Sequence, residues 1–173
     1  VGLGSDPLDS DELAFVSEHA GLRTLPTFAS MVIPETILAS SGCDIQQILH
    51  RSQSLQIFRP LPAAGDLLVN QRVTSVTDRG KEVGAEIELE TELRLARDDT
   101  VVCHATSRII ARGDGGLGGP VGERRPRHRM PNREPDLTCD LPTRRDQALL
   151  FRLCGDFNPL HADPAAANAA GFE

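Results

Sequence analysis

Residues 83–95 alternate strictly. Val83, Ala85, Ile87, Leu89, Leu93 and Leu95 share one phase, and Glu86, Glu88, Glu90, Glu92 and Arg94 share the other. Side chains of a strand point to opposite faces with a period of two, so this run predicts a half-buried antiparallel strand with one wet face. A polar turn over residues 97–100 and a second run over 101–112 complete a hairpin. Upstream, residues 54–60 set Leu55 and Ile57 against Gln56 and Phe58. Residues 66–76 follow a Pro/Gly turn at 62–65 and read as another strand.

The flanks have different patterns. Residues 10–20 suggest a weak helix and residues 45–50 a helical turn. Residues 25–38, LPTFASMVIPETIL, read as a buried helix interrupted by Pro34. An apolar segment followed by long antiparallel strands predicts an α+β sheet wrapped around one buried helix, the arrangement of a hot-dog fold. No signal marks the first strand of such a sheet. Residues 113–141 have no periodicity and are rich in Gly, Pro and Arg, as a linker would be. Thr143 is placed to cap a helix ending at Gly155, with Asp146 as its capping-box partner. Asp163-Pro164 starts another short helix, with Asp as the cap and Pro at the first position, and Gly171 ends it.

Composition narrows the function classes. The 173-residue chain is 39% hydrophobic, enough for a globular core, and carries a net charge of −7. That charge argues against a general nucleic-acid or anionic-membrane binder, and six Phe with no Trp or Tyr leave few platforms for base stacking. The basic cluster Arg124, Arg125, Arg127, His128 and Arg129 reads as a solvated linker, or more sharply as a contact for the phosphates of a nucleotide-like ligand. Cys43, Cys103, Cys139 and Cys154 are scattered without metal-binding spacing and read as isolated thiols of a reducing compartment. No apolar run approaches the roughly 20 residues of a membrane span.

Chemistry concentrates in residues 155–163, GDFNPLHAD. Pro159 fixes one backbone angle and biases Asn158 toward an extended conformation, so a stiff turn separates Asp156 from His161. A carboxylate and an imidazole held toward one spot suit the addition of water across a polarised double bond. One group takes a proton from water while the other delivers one to the adjacent carbon. Imidazole titrates near neutrality, and Asn158 could orient either partner without changing charge. The alternative is plain: Asp156 and Asp163 terminate helices and His161 sits on a surface loop. A metal site of Asp156, His161 and Asp163 would need further ligands from elsewhere.

The string Gly155-Asp156-x-Asn158-Pro159-Leu160-His161-x-Asp163-Pro164, followed by Ala169-Ala170-Gly171-Phe172, resembles the signature of MaoC-like, type-2 enoyl-CoA hydratases. Leu25-Pro26-Thr27-Phe28-Ala29, Leu49-His50-x-x-Gln53, Arg59-Pro60-Leu61-Pro62, Gly115-Gly116-x-Gly118-Gly119 and Pro142-Thr143-Arg144-x-Asp146-Gln147-Ala148 resemble the two-hot-dog members. The resemblance spans essentially the whole chain. It departs at Arg51-Ser52, where relatives commonly have Gly-Glu.

The resemblance implies a (3R)-specific hydratase acting on trans-2-enoyl-CoA, with Asp156 and His161 catalytic and Asn158 supporting. It implies an amino-terminal hot dog over residues 1–112 that is not catalytic and helps house the acyl chain. A linker at 113–142 and the start of a second hot dog at 143–173 would follow. His50 and Gln53 then form a structural strand-edge pair rather than a second site. No metal or redox cofactor is expected, CoA being part of the substrate. The expected partners are an acyl-CoA and a second copy in a homodimer, with no nucleic acid and no membrane. The expected location is the cytoplasm, or the peroxisome in a eukaryote. The family pattern also leads us to expect the protein to continue beyond Glu173 into a Pro-x-x-His-Gly helix start whose glycine amide polarises the thioester, and to begin before Val1. A non-catalytic acyl-CoA-binding subunit completed by a partner chain, and a hot-dog thioesterase, are the alternatives.

Overall fold

Every second residue of Ala85–Leu95 is buried and each one between is half-buried, as the alternation requires. The computed structural model describes residues 4–6, 8–34, 36–122 and 129–172. They fall into two compact units, Ser5–Gly122 and one containing residues 129–172.

The first unit is built on four strands, β1 (Ile48–Ile57), β2 (Leu67–Asp78), β3 (Ala85–Leu95) and β4 (Val101–Ala111). They form one antiparallel sheet in the order β1-β4-β3-β2. β1 starts at Ile48, six residues before the alternation becomes legible, because a register shift beside Arg51 interrupts its phase. After that shift Gln53, Leu55 and Ile57 pair with Ser107, Ala105 and Cys103.

The apolar face carries two clusters. One gathers Leu93, Leu95, Val102 and Cys103 with Ala29 and Leu61, and Val32, Ile33, Leu55 and Val69 pack on it. The other gathers Ile87, Leu89, Ile109 and Ala111 with Leu38, flanked by Ile37 and Ile48. Cys103 is fully buried, and desolvation pushes its thiol above the ordinary range. Burial of Leu93 alone is worth roughly 2 kcal/mol of transfer free energy.

The cover over this face differs from the expected single helix. Residues 25–38 form a 3₁₀ segment at Pro26–Ser30 and a separate short helix, α2 (Thr36–Ala39). Pro34 lies between them and cannot donate a helical hydrogen bond. Among the described residues of this cover only Ala29 and Leu38 are buried, while Phe28 and Met31 reach solvent. The expected helix over residues 10–20 is likewise confined to α1 (Ser10–Leu13), capped by Asp9, and a 3₁₀ turn at Glu18–Ala20.

On the wet face the glutamates of β3 are paired with cations from its neighbours and from β3 itself. Glu86 bonds Arg51 and Arg79, Glu88 bonds Arg108, Glu90 bonds Arg72, and Glu92 bonds Arg94 and His104. Solvent-facing pairs of this kind contribute little singly. Their effect is to place like-charged neighbours on one strand without mutual repulsion.

Residues 113–122 are not a free linker. The Asp78 carboxylate accepts the backbone N–H groups of Gly80, Gly116 and Gly118 at 2.8–2.9 Å. The Asp78 N–H donates to the Pro120 carbonyl at 2.9 Å, and Arg79 donates to that of Gly122 at 3.2 Å. The glycine-rich run is therefore a strap folded back on the end of β2. Glycine is required where it lies closest: a Cβ on Gly115 would collide with Gly80 and Gly84 backbone.

The second unit has α3 (Gln147–Leu153), a 3₁₀ turn at Pro159–His161 and α4 (Pro164–Ala169). None of its described residues is fully buried. The helix expected to open at Thr143 begins at Gln147. Asp146 stands at its cap position without making a side-chain cap bond, because Arg144 engages its carboxylate through two bonds of 2.8 and 2.9 Å. Of the basic cluster, Arg124, Arg125, Arg127 and His128 lie outside the described residues, and Arg129 is exposed.

Candidate active site

The loop that carries Asp156, Asn158 and His161 is built by its own backbone chemistry. Cys154 ends α3, and Gly155 follows at φ +110°, a conformation that favours glycine. Its N–H still bonds the Arg152 carbonyl at 3.1 Å, so the chain reverses within one residue of the helix. The Asp156 carboxylate then accepts the Asn158 N–H at 2.9 Å, and the Asn158 side-chain carbonyl accepts the Leu160 N–H at 3.0 Å. Two successive Asx turns thus set the loop, the second capping the 3₁₀ turn that ends on His161.

These bonds clarify the roles available to each group. Asp156 is half-buried and uses one oxygen on the turn, leaving the other for a ligand. Asn158 acts here as a cap, which fixes the approach to His161. Asp163 caps α4 by accepting the Ala165 N–H at 2.8 Å, and Pro164 occupies the first helical position. No hydrogen bond joins the Asp156 carboxylate to the His161 ring.

His161 is exposed and packs edge-on against Phe151, with ring centroids 6.5 Å apart. It lines an open cavity of about 450 Å³ together with Arg145, Leu149, Leu160, Asp163 and Asn168. Asp156 is not among the lining residues. The cavity accordingly presents the imidazole and a guanidinium beside apolar Leu149 and Leu160.

Arg152 was not singled out by sequence reasoning. Its guanidinium donates to the Phe157 carbonyl at 2.9 Å and lies 5.1 Å above that ring's centroid. An arginine five residues before an aromatic is too common to signal this in advance. Gln53 and Thr91 did carry a signal, since each is a polar residue in the apolar phase of its strand. Gln53 accepts the Ser107 hydroxyl at 2.6 Å, and Thr91 accepts the Gln71 amide at 3.2 Å. His50 bonds the Ser52 carbonyl at 3.1 Å. Among the described residues no cluster of His, Cys, Asp and Glu could hold a metal ion, and no helix is long and apolar enough to cross a membrane.

Comparison with known proteins gives two family matches. Residues 1–113 match the MFE-2 hydratase 2 N-terminal domain, and residues 127–173 match the MaoC like domain. The chain is 37% identical to 3-hydroxyacyl-thioester dehydratase Y of Mycobacterium tuberculosis, over 99% of this chain and 60% of that protein. It is 35% identical to the peroxisomal enoyl-CoA hydratase 2 of Arabidopsis thaliana, over 98% of this chain and 60% of the relative. Among solved structures, the full-length peroxisomal multifunctional enzyme type 2 of Drosophila melanogaster is similar at a TM-score of 0.75 and 35% identity. That match covers 99% of this chain and 30% of the other. A MaoC-like dehydratase from Phytophthora capsici is similar at 0.76 and 30%, covering 99% and 61%. The antiparallel sheet with few helices is thus a hot-dog fold. The chain spans about three fifths of the length of the curated relatives above.

Proposed function

The chain belongs to the MaoC-like hydratase 2 family, and from that premise we propose that the complete protein hydrates trans-2-enoyl-CoA reversibly to (3R)-3-hydroxyacyl-CoA. Water adds syn across the double bond. Its oxygen attacks the β-carbon, one proton passes to the site, and a proton is delivered to the α-carbon. Asp156 and His161 are the acid/base pair, and Asn158 holds the loop between them. The supporting observation is the double Asx turn, which sets the backbone between Asp156 and His161. The enolate-like transition state also needs a donor at the thioester oxygen, worth about a hundredfold or more in rate. The chemistry requires neither metal nor redox cofactor. The proposed setting is acyl-CoA metabolism of a homodimer, cytoplasmic or, in a eukaryote, peroxisomal.

The test is kinetic. The complete protein should consume the enoyl absorbance of crotonyl-CoA or a longer enoyl-CoA, and only a 3R-specific dehydrogenase should oxidise the product. Asp156→Asn and His161→Ala should each lower kcat at least about a hundredfold. Near-normal turnover in either variant rejects the assignment.

A second reading is a binding module completed by a partner chain. Leu149, Leu153 and Phe157 are exposed in the described second unit and favour it. It predicts stoichiometric acyl-CoA binding by the complete protein without turnover.

A further inference from the structure

The backbone of His161 is fixed, since its N–H donates to the Asn158 carbonyl at 3.3 Å and closes the 3₁₀ turn. Its ring is held differently. Among the described residues neither ring nitrogen has a hydrogen-bond partner. The carboxylates nearest in sequence are engaged with backbone, Asp156 with the Asn158 N–H and Asp163 with the Ala165 N–H. His50 and His104 show the contrast. Their rings are turned by bonds to the Ser52 carbonyl at 3.1 Å and to the Glu92 carboxylate at 3.0 Å. His161 has Phe151 instead, whose ring stands edge-on to it at 71° with the centroids 6.5 Å apart.

Phe151 lies in α3, where the Cys154 N–H bonds its carbonyl at 2.9 Å, so the backbone under the phenyl ring is helical and fixed. Phe151 does not line the cavity that His161 shares with Arg145, Leu149 and Leu160. The aromatic contact therefore meets the imidazole away from the cavity and leaves its cavity side to a ligand. An imidazole oriented by a hydrogen bond gives up one nitrogen to it, and that bond fixes which nitrogen carries the proton. An edge-on aromatic neighbour restrains the ring and takes neither nitrogen. For a group that must take a proton and later return one, both nitrogens stay open.

We propose that Phe151 is a positioning residue of the candidate active site, orienting the His161 ring by edge-on packing and leaving both ring nitrogens to water and substrate. This rests on the hydratase reading of the complete protein. Phe151 acts through His161, since it does not reach the cavity itself. An edge-on aromatic pair contributes about 0.5–1.5 kcal/mol, which at about 1.36 kcal/mol per tenfold in rate corresponds to about two- to tenfold in kcat. Leu at this position keeps apolar bulk and helix preference but removes the ring. Tyr keeps the ring.

The experiment joins kinetics to histidine NMR on the complete protein, with the His161 ring protons assigned by their loss in His161→Ala. Phe151→Leu should lower kcat on crotonyl-CoA about two- to tenfold while KM stays within about twofold. The same substitution should move the His161 ring-proton resonances, which the phenyl ring current displaces. Those of His104 should stay in place, because His104 belongs to the first unit and has its own partners in Glu92 and Phe58. Phe151→Tyr should match wild type in both readouts. Where Phe151→Leu does not fold, Phe151→Met carries the same expectations. The proposal is overturned by His161 resonances that stay put without the ring, by a shift that His104 shares, by an unchanged kcat or a loss carried in KM, or by a folded Phe151→Tyr as impaired as Phe151→Leu. A wild type that hydrates no enoyl-CoA while the resonances behave as expected would instead reject the hydratase reading and leave the hold of Phe151 on His161 standing.

Discussion

Arg152 is fastened to Phe157 twice, by a 2.9 Å bond to its carbonyl and by stacking of the guanidinium 5.1 Å over its ring. Phe157 sits between Asp156 and Asn158, so the last turn of α3 holds the middle of the candidate catalytic loop. A hydrogen bond from a charged donor contributes about 1.5–3 kcal/mol and a cation–π contact about 0.5–1. Arg152→Ala should therefore lower kcat of the complete protein by tenfold or more. Amide exchange at Asn158 and Leu160 should accelerate in parallel. Arg152→Lys, which keeps the charge but not the planar fork, should recover only part of either effect.

Asp78 predicts a pH dependence. Bonds from the Gly116 and Gly80 amides, with Gly118 and Gly119, hold its carboxyl below the ordinary value of 3.8. A group whose pKa is depressed on folding stabilises above its unfolded pKa and loses that contribution as pH falls through the folded value. Thermal unfolding of wild type and Asp78→Asn should differ at neutral pH. The difference should shrink once pH drops below the ordinary carboxylate range. Gly116 and Gly118 amides should be the ones that lose exchange protection.

Gly84 stands at φ +103°, and a Cβ there would run into the Ala111 carbonyl and the Arg112 backbone. Gly84→Ala therefore combines backbone strain with displacement of the end of β4. A cost of about 1–3 kcal/mol is expected from the strain alone. Chemical denaturation should show a lower midpoint with an unchanged slope, the mark of lost stability rather than altered compactness.

Cys103 and Cys139 should separate by reactivity. Cys103 is buried with a raised thiol pKa, while Cys139 is exposed. Alkylation under native conditions should label Cys139 quickly and reach Cys103 only after unfolding.

Much of this was legible because it depends on neighbours in sequence. The β3 alternation, the turn into β4, the Gly155 reversal and the Asp163-Pro164 helix start each follow from local backbone chemistry. The loop motif also announced the family and the candidate residues Asp156, Asn158 and His161. Capping proved less local than it looked. Thr143 and Asp146 suited a capping box, but Arg144 binds Asp146 more strongly, and the helix starts later.

What only the tertiary structure decided is set by pairing between distant residues. Gln53 meets Ser107 across 54 positions and Asp78 meets Gly118 across 40. Neither partner can be read locally, because the strand register and the return of the chain bring them together. The split cover at Pro34 belongs here too: proline forbids a continuous helix, but only packing shows that Ala29 joins one apolar cluster and Leu38 the other. Sequence alone determined which residues can do the chemistry. The fold decided what surrounds them, because cavity walls and strand pairings join residues that the sequence keeps apart.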